Sequence, residues 1–212
     1  MANGAGGSIT PFFTIWTEPR ATIRRVVETD PKRYVIALAA IGPAVGALAN
    51  EWSKAIDNNA NLSALWPIEV VLSAAFGAVL GVVSLYISGA ILRWSGGLIG
   101  GVASLVEVRA ALAWAQVPAI AAEVILLIAV LQGIAIPHPT AAAMLQIDPA
   151  FYKVGVAEAV LAVWGSIVGV YCLAEVHRFS AWRAFCATLI PAAIAMVVIG
   201  VIVWVLYLLM NH

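Results

Sequence analysis

Three carboxylates stand inside or at the edge of long apolar runs: Glu69, Glu123 and Glu158. Ionisable groups are costly in hydrocarbon, so such positions are functional candidates by default. If the helices carrying them converge, oxygen ligands of this kind suit a hard cation, and a crowded pair of carboxyls shares a proton. His138, in the run AIPHPT, adds an imidazole should the ion be Zn²⁺. Spacing gives this reading no support, because no two of these residues lie at i and i+3 or i+4. The plainer expectation is protonated, hydrogen-bonded carboxyls with partners such as Gln116, Gln132 or Asn50, or a pair between Glu158 and Lys153.

A second candidate is RWSGGLIGGVASLVEVRAALAWAQVP, Arg93 to Pro118, with four glycines in six positions. A phosphate-cradling loop needs a strand before it, a helix after it and, in the Walker form, a closing Lys and Ser or Thr. GGLIGG follows an apolar helix and has no lysine between Lys54 and Lys153, so that chemistry is excluded. Glu107 is expected to pair with Arg109 or Arg93, and Glu175 with Arg178 at i and i+3. No H-E-x-x-H or C-x-x-C occurs, and no serine has a His and acid partner in motif form. Neither an enzyme nor a cofactor is expected, and no nucleic-acid partner. Cys172 and Cys186 read as inert thiols near one membrane face.

The elements that must position these residues follow from composition. Of 212 residues 63% are hydrophobic and only 10% charged, with a mean hydropathy of +1.00. That is too little polar surface to cover a water-soluble globule. A hydrocarbon core of about 30 Å takes roughly 20 apolar residues as a helix. Five stretches are expected to span it, at about 33–50, 67–92, 109–134, 152–176 and 186–209. The fold class is therefore an all-α integral membrane protein. Lys and Arg alternate along the chain: nine (Arg20, Arg24, Arg25, Lys32, Arg33, Arg93, Arg109, Arg178, Arg183) fall at one end of the spans, and two (Lys54, Lys153) at the other. Positive charge stays in the cytoplasm, which puts the N-terminus inside and the C-terminus outside.

Residues 1–8 read as a flexible N-terminus, 9–30 as an interfacial amphipathic segment and 31–210 as the membrane domain. Thr17 is expected to cap a short helix from Pro19, with Ile23, Val26 and Val27 on one side and Arg20 and Arg24 on another. Such a helix lies on the inner leaflet, with Arg20, Arg24 and Arg25 toward anionic headgroups and Phe12, Phe13 and Trp16 toward acyl chains, or else packs on the end of the bundle. Asp30 and Pro31 are expected to open the first span. Residues 1–30 have no apolar signal-like core, so the first span is expected to serve as its own insertion signal. Small residues at four-residue spacing (Gly42 and Gly46; Ser73, Gly77 and Gly81; Gly165 and Gly169) are notches for close helix packing, within the chain or in a homo-oligomer.

An apolar helix, the turn GGLIGGVAS, then an acidic residue and RAALAWAQVP leading into a third helix resemble the membrane domain of the Yip family, named for interaction with Ypt/Rab GTPases. TEPRATIRRV ahead of the first span is similar too, and the likeness covers roughly residues 12–209. It marks Gly96, Gly97, Gly100, Gly101, Glu107 and Arg109 as the family's cytoplasmic turn. Eukaryotic members have a long cytosolic N-terminal region with its own motifs. This chain has about 32 residues there and none of those motifs, a departure that counts against a Rab-type GTPase partner. Its brevity and Ala/Val-rich spans look bacterial, and for such members the resemblance implies an inner-membrane protein whose biochemical activity is not established. The expected role is an interaction or organising protein with the lipid bilayer and a cytoplasmic protein as partners, and the alternative is a small cation or proton transporter or channel that uses Glu123, Glu158 and Glu69.

Overall fold

The computed structural model describes residues 10–57, 64–133 and 149–210, and contains no strand among them. The helices are α1 (Thr10–Thr14), α2 (Pro19–Thr29), α3 (Val35–Asp57), α4 (Trp66–Leu98), α5 (Leu105–Ala115), α6 (Val117–Leu131), α7 (Pro149–His177) and α8 (Ala181–Met210). Four stretches are long and apolar enough to cross a bilayer: Val35–Ile56, Trp66–Leu98, Leu105–Leu131 and Lys153–His177. A shorter apolar helical stretch, Ala181–Val197, lies in α8. Along α4 the most apolar window is only 11% buried, and Val71, Leu72, Phe76, Val79 and Ile87 are exposed. Apolar side chains in that number facing outward fit hydrocarbon as the surrounding solvent.

The packed core is not spread evenly. It gathers at the end where α4 and α7 finish and α5 and α8 begin, from Ile15, Ile23, Val35, Val108, Trp114, Leu173 and Phe179 with their neighbours. Among the described residues at the opposite end, few hydrophobic ones are buried, such as Ala55, Ala129 and Val130. Among the described residues, one end of the bundle is thus a compact body and the other is mostly helix surface.

α3 and α4 share the most extensive interface, and a proline explains its depth. Pro43 lies inside α3 and has no N–H to return to the carbonyl four residues earlier, that of Ala39. The backbone of α4 at Gly81 presses on that same carbonyl, and a Cβ at Gly77 would stand 2.6 Å from the Pro43 carbonyl oxygen. Glycine is needed here for close approach. Gly165 and Gly169 lie against Pro118 and Ala115 of the neighbouring α5–α6 rod. These notches serve packing within the chain.

Several expected boundaries are corrected. The stretch expected at 109–134 is two helices broken at Gln116, since Pro118 cannot donate into the preceding turn. α4 continues past residue 92 to Leu98, so Gly96 and Gly97 belong to its last turn. Asp30 does not open α3: it caps the end of α2, its N–H donating to the Val26 carbonyl, and its Oδ1 accepts the Lys32 N–H at 3.0 Å in an Asx turn. Tyr34, at φ +58°, then redirects the chain into α3. Glu18, not Thr17, occupies the N-cap position of α2, without a side-chain cap. The apolar face of α2 packs on α7 and α5, burying Ile23 and Val26. Phe12 packs on Trp114 and Tyr34 at ring distances of 4.8 and 5.7 Å rather than standing free, while Phe13 is exposed.

Candidate functional site

α4 ends in a Schellman turn. The Gly101 N–H donates to the Gly96 carbonyl at 2.8 Å and the Gly100 N–H to the Gly97 carbonyl at 3.1 Å, the paired pattern that closes a helix through a left-handed residue. Gly100 supplies that conformation at φ +87°. α7 ends the same way: the Phe179 N–H donates to Ala174 at 3.0 Å and the Arg178 N–H to Glu175 at 3.1 Å. Here Arg178 holds the left-handed position, at φ +57°. The two turns meet, because the Val102 N–H donates to the His177 carbonyl at 3.4 Å.

Between them sits the imidazole of His177, 1% exposed. Its ring fills the space where side chains at Gly96 and Gly101 would be, and it stacks on Phe179 with centroids 5.0 Å apart and planes 7° from parallel. Among the described residues neither buried ring nitrogen has a hydrogen-bond partner, so the ring is held by shape. Arg183, near the start of α8, donates through Nη2 to the Ile99 carbonyl and lies over the Phe179 ring. A guanidinium there meets the carbonyl-rich, partly negative end of α4.

On the far side of the turn Ser104 and Glu107 form a capping box. The Glu107 N–H donates to Ser104 Oγ at 3.3 Å, and Glu107 Oε2 accepts the Ser104 N–H at 2.6 Å. The expected pairing of Glu107 with Arg109 or Arg93 is therefore overturned. Arg109 instead lays its guanidinium on the Tyr86 ring, 4.0 Å from the centroid, with its stem in the groove left by Gly89, whose Cβ would be 2.8 Å from Arg109 Cγ. Of the marked glycines, Gly96 and Gly101 admit His177 and Gly100 makes the turn. A Cβ at Gly97 would meet nothing within 4 Å.

A family model described as the Yip1 domain matches residues 13–210, nearly the whole chain. The chain belongs to the Yip1 domain family. No curated protein and no solved structure matches it.

The three arginines near the start of this Yip1 domain have different surroundings. Arg24 Nε meets Glu175 Oε1 at 2.6 Å, which replaces the expected pair between Glu175 and Arg178. Arg20 lies over the Tyr171 ring at 5.5 Å. Arg25 donates to the Ala21 carbonyl at 3.2 Å and reaches Glu18 only at 3.9 Å. Cys172, buried, donates its thiol to the Pro19 carbonyl at 3.9 Å, and both cysteines are free.

Of the intramembrane candidates, Glu123 and Glu158 stand half-buried on α6 and α7, which pack together. Glu123 rests against α3, where a Cβ at Gly46 would be 2.7 Å from its Oε2. Glu69 is exposed in the first turn of α4. Among the described residues no group of three or more His, Cys, Asp or Glu gathers to hold a metal. His138 lies outside the described residues.

Sequence reasoning missed the seat of His177, the capping role of Arg183 and the buried Trp114. One signal was readable: S-x-x-E ahead of an apolar run, Ser104 to Glu107, is a capping-box signature.

Proposed function

We propose that this Yip1 domain is a non-enzymatic protein of a bacterial inner membrane that spans it five times, with α8 as the fifth span, the N-terminus in the cytoplasm and the C-terminus outside. It acts as an interaction or organising protein through its cytoplasmic end. The observation that carries this reading is the polarisation of the packing: the compact body lies at the end bearing the glycine turn, and nine of the eleven Lys and Arg belong to that end. Positive charge and a built surface on one face fit a cytoplasmic platform. Trp94, Leu98, Val102 and Trp182 are exposed there, an apolar rim suited to a protein partner. The glycine notches of α4 and α7 are occupied within the chain, which favours a protein partner over self-association through them.

A photo-crosslinking residue in place of Val102, in native membranes, is expected to give discrete protein adducts, whereas one in place of lipid-facing Val79 is expected to label lipid. Lipid adducts alone at both positions would overturn the reading. Reporter fusions at the two termini are expected to report opposite sides; the same side for both removes the five-span topology.

A further inference from the structure

A cavity of about 340 Å³ opens between α1, α2 and α5, within the range of small-molecule sites, roughly 300–1,000 Å³. Its walls are mostly apolar. Arg25 and Arg33 both line it, as do the threonines Thr14, Thr22 and Thr29. Trp114 backs the wall, fully buried and with its indole N–H closed off from the cavity.

The two guanidiniums have capacity to spare. Arg25 uses one donor on a carbonyl of its own helix and has a carboxylate only at 3.9 Å. Arg33 is held over the Tyr34 ring at 5.1 Å, and no carboxylate pairs with it among the described residues. Of the three arginines on α2, Arg25 alone faces this cavity; Arg24 and Arg20 are committed elsewhere. Planar guanidiniums match phosphate oxygens geometrically. One wall carries the opposite sign: Asp30 lines the cavity, beside the carbonyl end of α2. A bare anion would be repelled on that side, whereas a ligand with a hydroxyl or ammonium next to its phosphate would donate to Asp30.

We infer that the cavity between α1, α2 and α5 is a binding site for a phosphate ester bearing an adjacent hydroxyl or ammonium group, held by Arg25 and Arg33. Lipid headgroups and free glycerophosphates share this chemistry.

Two arms separate these sources. The full chain in nanodiscs of phosphatidylcholine, with and without phosphatidylglycerol, is examined by native mass spectrometry for retained lipid. The chain in detergent is titrated with glycerol 3-phosphate and with inorganic phosphate. A lipid site retains phosphatidylglycerol over phosphatidylcholine; a soluble-ligand site binds glycerol 3-phosphate without that preference. In the arm that binds, Arg33→Gln and Arg25→Gln each reduce binding on the order of tenfold, while Arg24→Gln leaves it unchanged. Both arginines lie outside the buried core, and unchanged melting of both variants shows that folding is not what is lost. Binding in neither arm, indifference to Arg33→Gln and Arg25→Gln, or equal loss in Arg24→Gln would overturn the site.

Discussion

The ring of His177 occupies the volume that a methyl group on Gly96 would need. Two helix ends that are 81 residues apart in the chain (177 − 96) are thereby locked face to face, with no ion pair or side-chain hydrogen bond at the contact.

Adding a methyl group at that contact tests it. Gly96→Ala and Gly101→Ala are expected to destabilise the detergent-solubilised protein by about 1–3 kcal/mol, the usual cost of overpacking, read as a lower melting temperature. Gly97→Ala, with open space at its Cβ, is expected to be neutral or slightly stabilising through helix propensity. His177→Ala should remove most of the penalty of Gly96→Ala. Equal damage from all three glycine substitutions would contradict the notch.

The two Schellman turns differ in one residue, and that difference predicts opposite signs. Gly100→Ala puts a Cβ on a backbone at φ +87° and should cost about 1–2 kcal/mol. Arg178→Gly relieves a left-handed residue whose side chain is exposed, and is expected to stabilise by up to about 1 kcal/mol. Thermal unfolding of the pair checks both.

Glu107 serves a helix start rather than an ion pair. Ser104→Ala is expected to cost about 0.5–2 kcal/mol. Glu107→Gln, which keeps an oxygen for the Ser104 N–H, should be milder than Glu107→Ala. A charge-dependent pairing with Arg109 would instead make Glu107→Gln and Glu107→Ala equally harmful.

The Arg24–Glu175 pair fastens α2 to α7 through an exposed contact, so its effect should be small and weakened by salt. Arg24→Glu is expected to speed proteolysis within α2, and Arg24→Glu combined with Glu175→Arg to restore protection. No restoration would mean that burial of Ile23 and Val26 alone holds the helix.

Proteoliposomes are expected to show no cation or proton flux, with wild type and Glu123→Gln indistinguishable. Flux that vanishes in Glu123→Gln would replace the interaction reading with transport.

What the sequence by itself determined was the solvent and the helical class. Apolar content, run length and scarce charge leave hydrocarbon as the medium, and in hydrocarbon the backbone must satisfy itself within helices. GGLIGGVAS and its flanks were also enough to find the family. Tertiary structure decided the partners of each polar group. Glu175 has Arg178 within reach along its own helix, yet the helix ends first, in a left-handed turn at Arg178, and α2 brings Arg24 alongside. His177 had no local partner to suggest its place, since Gly96 and Gly101 come from another helix end. Trp114 likewise read as one more apolar residue of a span; only the packing of α1 and α2 beside α5 makes it the wall of a cavity with two arginines. Local spacing governs caps and turns, whereas contacts between distant segments depend on how the helices pack.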